Sequence, residues 1–209
     1  MPIPQPVLEI SEFLSSSAVS LSSDLRDPRI DSAVNEDQLI DVIETNFIIQ
    51  RPAMRNWWDL QRTVDGEPYP INIKVSNLLG NDNVQCKLGI YYSLTGLEPD
   101  FANEISWENF FEKLSLNLDS RTDRDYYFII VNKNNSKDVF ATSLKSIATL
   151  VPNGNNLPFQ CKWGSNRTPV ERTHEEASRF VLANLHKSCQ LRSRISSEFE
   201  KFLGGYLGH

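Results

Sequence analysis

Between Tyr69 and Ser76 the chain reads YPINIKVS, and that alternation restricts the folds open to it. Ile71, Ile73 and Val75 take every second position, with Asn72, Lys74 and Ser76 between them. In an extended chain a period of two sends the aliphatics to one face and the polar groups to the other. Upstream, Val64-Asp65-Gly66-Glu67 carries the Asp-Gly pair of a tight hairpin turn. NWWDLQ and EPYPINIKVS are therefore expected as two paired strands. The feature to explain is an ammonium and an amide on one face of a strand whose other face is aliphatic.

The rest of the chain supplies partners for this hairpin. Ile30, Val34, Leu39, Ile40, Ile43 and Phe47 recur at helical spacing and predict a helix from Ile30 to Asn46. FIIQRP reads as a short strand ended by Pro52, and Val84 to Leu94 as a strand or an ordered crossing segment. Trp107, Phe110, Phe111 and Leu114 share a helical face behind Ser106, a good N-cap residue. A fully apolar strand, Tyr126 to Val131, turns at NKNNSKD into a second one, Val139 to Leu144, and FQCKW follows as a short strand. Thr168-Pro169-Val170-Glu171 has the residues of a capping box with Pro at the first helical position. It predicts a last helix running toward Gly204-Gly205, with a break near Arg192 to Arg194. This order of elements implies one α/β domain, a central mixed β-sheet flanked by helices, over residues 29–209. The Ser- and Pro-rich residues 1–28 read as a short helix or an arm used in subunit contact.

Composition narrows the function classes. An apolar content of 40% and an aromatic content of 10% fit a folded globular chain. No apolar run approaches the roughly 20 residues that cross a bilayer. The start, MPIPQPVLEISEFL, lacks a basic segment and so does not resemble a secretory signal. Cys86, Cys161 and Cys189 are odd in number and lack metal-ligand spacing, the pattern of reduced thiols in a cytoplasmic protein. The net charge of -6 is unevenly placed, because residues 161–209 hold eight Lys and Arg against five Glu. That asymmetry fits a basic binding face on an acidic remainder.

If the hairpin pairs, Asp59 of WWDLQ reaches the polar face that carries Asn72 and Lys74. One carboxylate, one amide oxygen and one ammonium then surround a single spot. A hard cation such as Mg²⁺ takes oxygen ligands, keeps several waters and often uses only one or two protein side chains. A neighbouring ammonium can orient a water attacking a phosphate while the metal neutralises the developing charge. Such a polar face is what phosphodiester hydrolysis requires.

Asp59, followed after a short interval by Asn72-Ile73-Lys74, resembles the PD-(D/E)xK nuclease motif. The flanking sequence is similar to the EcoRV-type branch of type II restriction endonucleases. FIIQRPAMRNWWDL follows that branch's order of strand, Pro, polar loop and acidic residue. INIKVSNLLGNDNVQCKLGIYYSL resembles its active-site strand, LVPNGNNLPFQCKW its base-reading loop, and CQLRSRISSEFEKFL its closing helix. The resemblance spans roughly residues 30–203. It implies a restriction-endonuclease-like fold and a homodimer that clasps double-stranded DNA, with Mg²⁺-dependent hydrolysis and a C-terminal DNA-recognition region. Asp59 would be the first metal ligand, Asn72 would take the second acidic position with the Ile73 backbone carbonyl beside it, and Lys74 would be the catalytic lysine. Asn153, Gly154, Asn155 and Asn156 would form the recognition loop, and Arg55 and Asn56 would lie along the minor groove. Asp31 aligns with an auxiliary acidic residue of some members. The family's usual residue at position 72 is Asp or Glu, and this chain has Asn, either native or an introduced Asp→Asn change. An amide oxygen still ligates Mg²⁺ but adds no charge.

Plainer roles stand beside these. Asp59 would otherwise be a hydrogen-bonded carboxylate at a strand end, and Lys74 a solvent-facing strand lysine. PNGNN is by default a turn. Trp57, Trp58, Trp107, Phe110 and Phe111 are expected in the core. His174, His186 and His209 assemble no site. Arg179, Lys187, Arg192 and Arg194 form a solvated helix face unless DNA is bound, when some would meet phosphates. The rival functions are a repair or junction-resolving nuclease on the same core, and a DNA-binding or interaction module with a dead site.

Overall fold

The computed structural model describes residues 2–17, 19–21, 28–52, 56–101, 105–154 and 158–203, without the side chains of 28–33, Gln85, 195–200 and 202–203. A four-stranded mixed sheet forms the centre, built from β1 (Leu60–Val64), β2 (Glu67–Ser76), β4 (Tyr127–Asn132) and β5 (Asn135–Ser143) in the order β1-β2-β4-β5. β1 pairs antiparallel with β2, β2 parallel with β4, and β4 antiparallel with β5. The β1–β2 hairpin closes through Asp65 and Gly66 at φ 52° and 80°. Two successive positive φ values give the turn whose twist matches the strands, which is why Asp-Gly stands there.

Each face of the sheet carries its own helices. Ile71, Ile73 and Val75 of β2 and Tyr127, Ile129 and Val131 of β4 pack against α1 (Gln5–Ser16) and α2 (Pro28–Glu44). Phe128 and Ile130 of β4 point the other way, into a core shared with α3 (Lys87–Thr95), α4 (Trp107–Asn117) and α5 (His174–Leu203). The fully apolar β4 follows from this α/β/α layering, whereas β2 keeps a polar face on which Asn72 and Lys74 are only half-buried. Trp57, Trp58 and Phe110 are buried in the second core as expected, while Phe111 is 40% exposed.

A second, antiparallel sheet, β3-β7-β6, comprises β3 (Asp82–Gln85), β6 (Val151–Pro152) and β7 (Phe159–Cys161). It is tied to the end of the central strand, because the Ser76 hydroxyl donates to Asp82 at 2.6 Å. A short 3-10 helix, Trp163–Asn166, follows β7.

Several boundaries differ from the sequence reading. Val84 to Leu94 is mostly helix, with β3 contributing only its first residues. From Gly89 to Thr95 every residue of α3 is buried, so no polar face marks its period. It stops at Gly96, left-handed at φ 67°, where an added Cβ would stand 2.5 Å from the Arg121 carbonyl oxygen. FIIQRP keeps a single bridge, Gln50 to Gln61. The last helix starts five residues later than Thr168-Pro169 implies. Val170 N–H donates to Ser146 O, and Thr173 with Glu176 forms the capping box instead. α5 then runs without a break through Arg192–Arg194. Within residues 1–28, α1 seats Val7, Ile10 and Leu14 in the sheet's core. Among the described residues no helix is long and apolar enough to cross a membrane.

A candidate active site on the open edge of a strand

β1 begins at Leu60, opposite Ile71, so the ladder on that side of β2 stops there. Only the Asp59 N–H continues it, donating to the Ile71 carbonyl at 3.0 Å. Beyond that point the N–H groups of Ile73 and Val75 face an edge that no strand covers among the described residues. Two carboxylates take them. Asp59 Oδ2 accepts from Ile73 N–H at 2.8 Å, and Glu36 of α2 accepts from Val75 N–H. Within a strand the N–H and C=O of one residue point to the same edge. The Ile73 carbonyl therefore opens onto this edge, between the two acids.

Lys74 Nζ lies 3.8 Å from Glu36 Oε1, and both side chains are 23% exposed. Burial pushes the Asp59 carboxyl above its usual range, against the pull of Lys74 and of the Ile73 N–H, and Asp37 pushes the same way. Burial also raises Glu36, opposed by Lys74 and reinforced by Asp59. Two acids thus sit in a partly dry place and share one ammonium. Next to Lys74 on the same strand face, Asn72 has a buried side-chain oxygen with no hydrogen-bond partner among the described residues. A buried amide oxygen without a donor is uncommon and costly, and it fits a position meant for a cation or a water.

The structure brings together Asp59, Asn72, Ile73 and Lys74, and it adds Glu36. Glu36 was missing from the sequence reading, since in VNEDQLIDVIE it looks like one acid of a solvated helix face. The signal available was its place between Asn35 and Leu39, both of which the structure buries. Asp31 lies on α2 one and a half turns earlier, and its side chain is outside the described residues.

The remaining predicted residues lie elsewhere. Asn153 and Gly154 start the β6–β7 loop, while Asn155 and Asn156 are outside the described residues. The loop is clamped at both ends by Ser188 of α5, which accepts from Asn153 N–H at 3.1 Å and donates to Pro158 O at 2.5 Å. Asn56 is exposed and accepts from Trp57 N–H at 2.8 Å. Arg55 is outside the described residues.

Among the described residues no group of three or more His, Cys, Asp or Glu is arranged to hold a metal. What is present is a hard-oxygen set: two carboxylates, an orphaned amide oxygen and an edge carbonyl. That set suits Mg²⁺, which commonly takes one or two carboxylates and fills its remaining positions with water. No protein-family model matches the sequence, and no curated protein matches it significantly.

Proposed function

We propose that the protein is a Mg²⁺-dependent endonuclease of the restriction type, with a restriction-endonuclease-like fold, which hydrolyses phosphodiester bonds in double-stranded DNA as a homodimer. One observation carries this reading: Asp59 and Glu36, from different elements, converge on the uncovered edge of the strand that bears Lys74. Asp59, the Ile73 carbonyl and Asn72 would hold the ion, with Glu36 supplying the charge that Asn72 lacks. When bound, Mg²⁺ supplies neutralisation of phosphate charge and acidification of a water. Lys74 presents its ammonium where it can orient the attacking water and attract a phosphate oxygen. Glu36 holds that ammonium in place at 3.8 Å. Attack in line would leave a 5′-phosphate and a 3′-hydroxyl.

The test is incubation of the purified chain with phage or plasmid DNA and Mg²⁺, with fragment ends sequenced. Discrete fragments are expected. A smear, or nicking that follows DNA structure, points to a repair or junction-resolving enzyme instead. Replacing Asp59 or Lys74 by Ala should slow cleavage by on the order of 10²–10³-fold. Glu36→Gln should cost about tenfold, mostly as weaker Mg²⁺ binding that more Mg²⁺ restores. If neither the native chain nor Asn72→Asp cuts, the catalytic reading fails and the site is dead.

A further inference from the structure

The small β3-β7-β6 sheet has a buried face and an exposed one. Val84, Phe159 and Cys161 fill the buried face. On the other, Asn83 pairs with Gln160 across β3 and β7, and Gln160 with Val151 across β7 and β6. Residues directly opposite one another in a ladder share a face, so Asn83, Gln160 and Val151 form one row across three strands. The two amides are already in contact, with Gln160 Nε2 donating to Asn83 Oδ1 at 3.1 Å on the exposed surface. That bond leaves the pair an amide N–H donor on Asn83 and a carbonyl acceptor on Gln160, side by side. Around the β6 edge, on the Pro152 side of the sheet that faces α5, a groove of about 430 Å³ is lined by Pro152, Lys187, Gln190, Leu191 and Arg194. Its lining holds two cations and no carboxylate.

Resting on the nuclease reading, we propose that this exposed sheet face and, around the β6 edge, the α5 groove together dock duplex DNA. Asn83 and Gln160 meet base edges, and Lys187 and Arg194 meet phosphates. The chemistry matches on both counts. A β-ribbon fits the major groove, where adenine offers an acceptor beside a donor and thymine offers a methyl group to an apolar side chain such as Val151. The groove's charge is opposite to that of the DNA backbone. The surface is also held firmly. Ser76 to Asp82 joins it to the strand bearing Lys74, and Ser188 clamps the β6–β7 loop onto α5. Rigid mounting is what keeps a reading surface in register with a cutting site.

The experiment is selection, in EDTA, from a pool of duplexes of about 30 base pairs with a randomised centre, using the full chain. The wild type should enrich one sequence motif. The double variant Asn83→Ala with Gln160→Ala should still bind the pool but lose roughly tenfold or more of its preference at one or two positions. Gln160→Glu, nearly the same shape, should shift preference at those positions toward cytosine, whose amino group needs an acceptor. Lys187→Ala with Arg194→Ala should weaken all sequences alike and lower the salt slope by about two. Unchanged motif and affinity in both amide variants, or no motif in the wild type, overturns the proposal. If DNA is cut with Mg²⁺ while the amide variants keep the motif, the surface fails and the nuclease reading survives. A motif read through these amides without any cutting has the opposite meaning.

Discussion

Among the described residues, two groupings of carboxylate and lysine, one buried and one half-buried, are built differently. Asp125 and Lys145 are each 2% exposed. Asp125 accepts from Ser93 Oγ at 2.7 Å, Tyr126 N–H at 2.7 Å and the Lys145 N–H at 3.3 Å, with Ser143 also bonding it. The Lys145 ammonium donates to the carbonyls of Thr122 and Arg124. Burial raises the Asp125 carboxyl and lowers the Lys145 ammonium, yet each polar atom has several partners. At the edge of β2 the fit is looser. Lys74 lies 3.8 Å from Glu36 and also attracts Asp59, and the Asn72 amide oxygen has no donor among the described residues. A closed network can only hold a structure together. An open one keeps interactions in reserve for a ligand.

That contrast can be broken by deleting each lysine. Lys145→Met leaves the Thr122 and Arg124 carbonyls without their buried donor and removes the charge that offsets Asp125, and should cost roughly 1–3 kcal/mol of stability. Lys74→Met leaves partly exposed acids and should cost under about 1 kcal/mol. Comparable losses in urea titrations of the two variants would erase the distinction. Asn72→Asp sharpens it, since a third carboxylate at the edge should destabilise the metal-free protein by about 2 kcal/mol. Mg²⁺ should recover that loss by binding only the folded chain. Thermal melts with and without Mg²⁺ read this directly, and calorimetry with DNA present should find tighter Mg²⁺ binding than in the native chain.

A gain in stability is expected from Asp59→Asn. Its carboxyl titrates higher in the folded chain than in the unfolded one, so ionisation works against the fold and stability falls as pH rises through the raised value. The amide removes that penalty while keeping an acceptor for Ile73 N–H. It should therefore add about 1 kcal/mol at pH 7, and the gain should vanish below the ordinary carboxylate range. A variant less stable than the native chain at pH 7 contradicts the account. Lower pH should also weaken Mg²⁺ binding in the native protein, because protons compete for the same two acids.

Local chemistry made part of this legible in the sequence. The Asp65-Gly66 turn, the division of β2 into two faces and the Ser106 cap, which accepts from Asn109 N–H at 3.0 Å, all depend on residues a few positions apart. What was hidden depends on distant partners. α3 has no readable period because both its sides are covered. Thr168-Glu171 and Thr173-Glu176 are equal candidates for a capping box, and only the bonds of Val170 and Arg172 to the Ser146, Lys145 and Ile147 carbonyls hold the first one out of the helix. Glu36 stands 38 residues before Lys74, and nothing nearby in the chain shows that α2 delivers it to the end of a hairpin.

The early stop of β1 has a further consequence. Any sheet margin with free N–H groups is a template for a strand from another molecule, and inward-pointing charge is a common protection. Asp59 and Glu36 occupy the two donors that such an intruder would need and place negative charge in its path. The gap in the ladder that gathers Asp59, Glu36 and Lys74 is thereby guarded against amyloid-like or swapped pairing by the same two acids.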